Sequence, residues 1–228
     1  GGEKENARIG SSSDRFVILL FCHLSPPFRG AEGEADMNFR NQSVLPAARK
    51  VKDLEKLIKL SYEYIVILDT HISQIRPIVD LAKSHGKKPI LHADLIEGLK
   101  NDEYAAEYLC QVVKPAGIVS TRAGVIGKTK QNGLLAIQRL FLLDTNALEK
   151  SYAMFERTKP DFIEVLPGVI PHIIAEVSER TGIPIFAGGL IRTVNDVEQA
   201  LRAGASAVTT SNYELWKHFE PAGRKGER

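Results

Sequence analysis

The sequence predicts a closed (β/α)8 barrel, an α/β fold, and three observations carry that expectation. Short β-rich runs alternate with helical stretches eight times along one chain. The first turn lacks the glycine-rich phosphate fingerprint of an open doubly wound sheet, which uses five or six strands. Polar and ionisable residues collect where the β-rich runs end, which is where such barrels carry their chemistry.

The units read off in order. Val44 to Ala48 precedes a helix around Val51 to Leu60, and Tyr64 to Asp69 precedes one around Ile72 to Ser84. Pro89 to His92 leads to a helix around Asp102 to Val113, and Gly117 to Ser120 to a weakly patterned helical turn from Val125 to Gln131. Leu134 to Arg139 precedes a helix from Ala147 to Arg157, where Asn146 and Glu149 have the spacing of a reciprocal capping box. Phe162 to Leu166 precedes Ile170 to Arg180, Pro184 to Ala187 precedes Val194 to Ala203, and Ala207 to Thr210 precedes Tyr213 to Phe219. Eight units in so short a stretch leave minimal loops, so the barrel is a compact TIM-like one with its chemistry on the strand ends.

Residues 37–220 are assigned to this barrel and 221–228 to a C-terminal tail. Residues 1–36 are punctuated by glycine, serine and proline without an amphipathic period, and read as an extension, disordered or non-native. Their apolar run from Phe16 to Leu24 has the length of a signal-peptide core. Acidic Glu3, Glu5 and Asp14 and the lack of a small-x-small cleavage site argue against export.

The 228-residue chain carries 30 Lys plus Arg against 28 Asp plus Glu, a formal charge of +2. That balance gives no polyanion-binding surface by charge alone. With 43% hydrophobic residues there is enough apolar mass for a sizeable core, and disordered or low-complexity classes are excluded. The two cysteines, Cys22 and Cys110, lie far apart and fit a reducing cytoplasm. No apolar run approaches the roughly 18 residues of a spanning helix, so a soluble protein without membrane contact is expected.

The strongest local signal is Ala187-Gly188-Gly189-Leu190-Ile191-Arg192 after the seventh run, paired with Thr209-Thr210-Ser211-Asn212 after the eighth. Singly these read as a tight turn and a helix N-cap. Together, at the last two strand ends, they read as a phosphate cradle of Gly188, Gly189, Thr210 and Ser211. Glycine lets backbone amides approach an anion, while Ser211 and the start of the last helix add donors. The polar rim adds Asp69, His92, Asp94, Arg139 and Glu164. Strand alternation gives His92 and Asp94 the same face. Glu164, inside an apolar run, needs a partner, and Arg139 one strand away is the natural one. No inward lysine, Gly-x-Ser-x-Gly elbow or zinc-ligand spacing is found, so no catalytic residue and no metal are assigned.

Several blocks resemble a known family: Leu45-Pro46-Ala47-Ala48-Arg49, Leu91-His92-Ala93-Asp94-Leu95-Ile96, Val113-Lys114-Pro115-Ala116-Gly117-Ile118 and Ala136-Ile137-Gln138-Arg139-Leu140-Phe141. Ile163-Glu164-Val165-Leu166-Pro167-Gly168 and the two cradle blocks continue the string. From Asn38 to about Phe219 the chain resembles the glycerol uptake operon antiterminator regulatory proteins, the glycerol-3-phosphate responsive antiterminators. The resemblance implies a barrel-shaped cytoplasmic regulator that senses glycerol 3-phosphate and acts on leader RNA of a glycerol operon, so that transcription passes a terminator. It implies no cofactor beyond that effector.

Placing the phosphate on the cradle and the glycerol end against Glu164, His92, Asp94 and Arg139 is our inference. RNA binding rests on the resemblance alone, since no RRM, KH loop or zinc knuckle is present. The preferred footprint is Arg122, Lys128 and Lys130, taken as lying near the rim. The alternative function is a sugar-phosphate isomerase or aldolase-like enzyme with Glu164 as general base. Oligomeric state is left open.

Overall fold

Eight parallel strands close into a ring in the order β1-β10-β9-β8-β7-β6-β4-β2, with helices packed around it. In chain order, β1 (Val44–Ala48) and α1 (Val51–Leu57) are followed by β2 (Tyr64–Ile67), the two-residue β3 (Thr70–His71), α2 (Ile75–Ser84), β4 (Lys88–His92) and β5 (Ile96–Glu97). Then come α3 (Glu103–Tyr108), β6 (Gly117–Ser120), α4 (Ala123–Gln131), β7 (Leu135–Phe141) and α5 (Thr145–Thr158). β8 (Phe162–Leu166), α6 (Pro171–Thr181), β9 (Ile185–Gly188), α7 (Val194–Arg202), β10 (Ala205–Thr210) and α8 (Tyr213–His218) complete the barrel. This computed structural model describes residues 42–222. The expected extension over 1–36, with Cys22, and most of the expected tail lie outside them.

All eight expected strand runs form. Alternation sorts their side chains into two layers. Leu45, Val66, Ile90, Ile137, Phe162 and Phe186 fill the lumen, where the Phe162 and Phe186 rings stack 4.3 Å apart. Val44, Ile65, Ile163, Val165, Ile185 and Val208 face the helices. A barrel filled this way is a packed plug, and only the residues beyond the last apolar layer reach a cavity.

Four local expectations need correction. The capping box of Asn146 and Glu149 does not form, because α5 begins at Thr145 and both residues lie inside it. Asp144 is the N-cap instead, its Oδ1 accepting from the Ala147 amide at 2.7 Å. Glu149 turns to Arg180 through two hydrogen bonds of 2.6 Å, which hold its carboxyl below the usual carboxylate range. The first helix stops at Leu57, three residues short of expectation.

The weakly patterned fourth helix is a nine-residue helix in full. Its pattern is weak because α3 crosses it closely: a Cβ on Gly124 would come within 2.8 Å of Glu103 Oε1. Lastly, the β2–α2 and β4–α3 connections each contribute a short strand, and β3 and β5 pair as a separate parallel ribbon outside the barrel.

Candidate ligand-binding site at the barrel mouth

The carboxyl ends of the strands enclose a cavity of about 150 Å³ whose wall includes Arg49, His92, Arg139, Glu164, Gly189, Leu190, Thr209, Thr210 and Ser211. That volume suits a compact polar ligand rather than the roughly 300–1,000 Å³ of drug-sized sites. The two predicted cradle segments meet here because Gly188 of β9 pairs in register with Thr209 of β10.

The cavity floor is a charged network. Glu164 is 6% exposed, and its Oε2 lies 3.1 Å from Arg139 Nε while its Oε1 accepts from the Thr209 hydroxyl at 2.6 Å. Arg139 in turn donates to His92 Nε2. Donation to Nε2 requires the neutral ring to carry its proton on Nδ1. That Nδ1 is buried and has no hydrogen-bond partner among the described residues. Burial, and after it the Arg139 charge, push His92 down to about 4, so the ring is neutral near pH 7. The pairing of Arg139 with Glu164 expected from the apolar run is thus present: the strands are neighbours, with the two residues opposite one another in register.

Gly188 sits just behind this network. A Cβ there would stand 2.3 Å from Thr209 Oγ1 and 2.9 Å from Glu164 Oε1. Its role is therefore to leave room for the Thr209–Glu164 hydrogen bond, and the cavity wall begins at Gly189. Gly189 and Leu190 both adopt positive φ, 75° and 60°. For leucine that conformation is costly, about 1–3 kcal/mol, and such strain gathers at ligand sites.

Thr210 lines the cavity as expected, but its polar atoms are bonded elsewhere. Alternation from Ala207, which faces the lumen, turns Thr209 inward and Thr210 toward the helices. The Thr210 hydroxyl accepts from the Asn212 amide at 3.2 Å, and its carbonyl accepts from Trp216 Nε1 at 2.8 Å. The helix start offers less than expected as well, because Asn212 Oδ1 already occupies the Glu214 amide at 3.0 Å.

Two rim candidates lie elsewhere. β4 ends at His92, and Ala93 to Leu95 form a 3₁₀ turn, so the alternation linking His92 to Asp94 breaks. Asp94 faces Ser120 Oγ at 2.5 Å, the Thr121 amide at 2.7 Å and Asn101 at 2.6 Å. Burial raises its carboxyl, but the Ser120 and Thr121 donors outweigh that and leave it lowered. Asp69 pairs with Arg49 at 3.5 Å and lines an adjacent cavity of about 170 Å³ together with Gln74 and Ile78.

Residues 44–216 match the family model described as glycerol-3-phosphate responsive antiterminator. The chain belongs to that family. A crystal structure of the glycerol uptake operon antiterminator regulatory protein from Listeria monocytogenes str. 4b F2365 is 48% identical, with a TM-score of 0.76 over 78% of this chain and 96% of that one. A glycerol uptake operon antiterminator-related protein from Thermotoga maritima MSB8 is 25% identical, with a TM-score of 0.67 over 77% and 98%. YgcP of Escherichia coli K12 is 32% identical over 177 residues, 78% of this chain and 93% of its own. Deoxyribose phosphate aldolase from Aeropyrum pernix, 17% identical with a TM-score of 0.57, shares the fold alone.

In this antiterminator the expected RNA footprint is divided. Arg122 caps α4 at the mouth side, whereas Lys128 and Lys130 lie in the helix's last turn. Lys130 pairs at 2.9 Å with Asp161, which precedes β8 and so marks the opposite end of the barrel. Among the described residues no helix is long and apolar enough to cross a membrane, and no group of three or more His, Cys, Asp or Glu is placed to hold a metal. Sequence reasoning did not place Arg49 at the mouth and named Thr210 without Thr209, although all three line the cavity. Counting the period of two outward from Ala207 identifies Thr209.

Proposed function

We propose that this antiterminator senses glycerol 3-phosphate at the barrel mouth and, when loaded, acts in the cytoplasm on leader RNA so that transcription continues into glycerol-utilisation genes. The phosphate is placed against Gly189, Leu190 and Ser211, and the glycerol hydroxyls against the floor formed by Arg139, His92, Glu164 and Thr209. Supporting the effector's identity are the family description, glycerol-3-phosphate responsive antiterminator, and the name of the 48% identical Listeria protein.

The observation that carries the reading is the state of Glu164. Both of its oxygens are engaged, one by a guanidinium and one by a hydroxyl. A carboxylate anchored in this way is turned to its protein partners, with no oxygen left free to face a substrate proton, which favours recognition over the general-base chemistry of an isomerase or aldolase. Recognition needs what is present: fixed donors and acceptors that penalise a ligand leaving them unpaired.

Calorimetric titration with glycerol 3-phosphate, glycerol and inorganic phosphate, with product analysis of the first, tests the effector and separates sensing from catalysis. Filter binding to the leader transcript with and without glycerol 3-phosphate tests the output. Binding of glycerol 3-phosphate without turnover, together with effector-dependent RNA retention, is expected. Turnover of the ligand, or RNA retention indifferent to it, overturns the reading.

A further inference from the structure

A phosphate monoester carries about −1.5 to −2 charges at neutral pH. The proposed cradle answers that charge with backbone and hydroxyl donors, and among the described residues the cavity wall holds two arginines, Arg49 and Arg139. Arg139 is already balanced: its guanidinium lies between Glu164 and His92, and its side chain is 15% exposed. Arg49 is different. It follows β1, which runs beside β10 with Pro46 opposite Thr210, and it lines the mouth cavity together with Ser211. Its side chain is 59% exposed, and its ion pair is a 3.5 Å contact with Asp69, itself 52% exposed.

Arg49 also lines two cavities at once, the mouth cavity with Gly189 and Ser211 and the neighbouring one with Asp69. Its main chain is tied down, the amide donating to Asp53 Oδ2 at 3.3 Å at the start of α1. A tethered root with a long exposed head on the wall between two cavities can turn its guanidinium to either side.

We propose that Arg49 is the counter-charge for the bound phosphate, and that ligand binding exchanges the Arg49–Asp69 ion pair for an Arg49–phosphate pair. The exchange is favourable because an exposed carboxylate pair is a weak competitor, whereas guanidinium and phosphate form charge-assisted, often bidentate hydrogen bonds. Asp69, which directly precedes β3, is released by the same event. Ligand occupancy is thereby transmitted to the β3–β5 ribbon beside the mouth. The proposal rests on the placement of the phosphate given above and adds the residue that selects for its charge.

The test is calorimetric titration of wild type, Arg49→Gln and Asp69→Asn with glycerol 3-phosphate, at pH 5 and pH 8, bracketing the second phosphate ionisation near 6. Both substituted side chains are more than half exposed, and thermal melts confirm that each variant is folded. Arg49→Gln is expected to weaken binding on the order of 10- to 100-fold and to flatten the loss of affinity between pH 8 and pH 5. Asp69→Asn removes the competitor and is expected to tighten binding by up to about 5-fold. Unchanged affinity in Arg49→Gln, or weaker binding in Asp69→Asn, overturns this proposal and leaves the effector assignment standing. Failure of the wild type itself to bind overturns both.

Discussion

Adding a single methyl group at Gly188 should disrupt the cavity floor from behind. The Gly188→Ala methyl would stand 2.3 Å from Thr209 Oγ1, far inside contact distance, and 2.9 Å from Glu164 Oε1. Gly188 lies in β9 and has no positive φ, so the backbone tolerates alanine and the whole cost falls on the neighbours. Thr209 must give up its 2.6 Å hydrogen bond to Glu164, a neutral donor to a charged acceptor worth roughly 1.5–3 kcal/mol when buried. Forcing the methyl into a packed site adds about 1–3 kcal/mol. Because the two costs overlap, a destabilisation of about 2–5 kcal/mol is expected.

The decisive measurement is a double-mutant cycle by urea denaturation. Thr209→Ala removes the clashing oxygen, so Gly188→Ala should cost about 1 kcal/mol or less in that background. Thr209→Ser keeps the hydroxyl and should bring no relief. A Gly188→Ala protein within about 0.5 kcal/mol of wild type, or costs that simply add, would show that the glycine is not there to admit the Thr209–Glu164 bond.

Two further outcomes follow from the same geometry. His92 is held at about 4 in the folded chain by burial and then by Arg139, against an ordinary 6.5. The unfolded chain therefore binds a proton that the folded chain refuses, so this contribution to stability is complete above pH 6.5 and is lost as pH falls toward 4. At about 1.36 kcal/mol per pH unit the gap is worth about 3 kcal/mol. Denaturant titrations from pH 7.5 to 4 should show His92→Gln losing correspondingly less stability than wild type; equal losses would refute the assignment. At the start of α5, Asp144→Ala should cost about 1 kcal/mol by thermal or urea unfolding, while Asn146→Ala stays within about 0.5 kcal/mol. The reverse order would restore the capping box that the structure replaces.

Much of the barrel was legible in the chain because each strand run is short, apolar and bounded by turn residues, and period two assigns its faces. The same rule located Glu164 as a buried charge in need of a partner. Where alternation ended, sequence reasoning failed: one 3₁₀ turn after His92 sends Asp94 toward Ser120, away from the mouth cavity. The fourth helix was undersold because its Gly124 answers to α3, a neighbour no local pattern reports.

By itself the amino-acid sequence determined the number and order of the strands, the polar character of their carboxyl ends and the glycine-rich turn after β9, since these depend on local periodicity and backbone freedom. Tertiary structure alone decided which of those polar groups share a cavity. Closure of the ring sets Arg139 opposite Glu164, Gly188 opposite Thr209 and Pro46 opposite Thr210, and brings Arg49 and Ser211 to the wall of one cavity. Those adjacencies arise from register and curvature between segments far apart in the chain, and local periodicity carries no record of them.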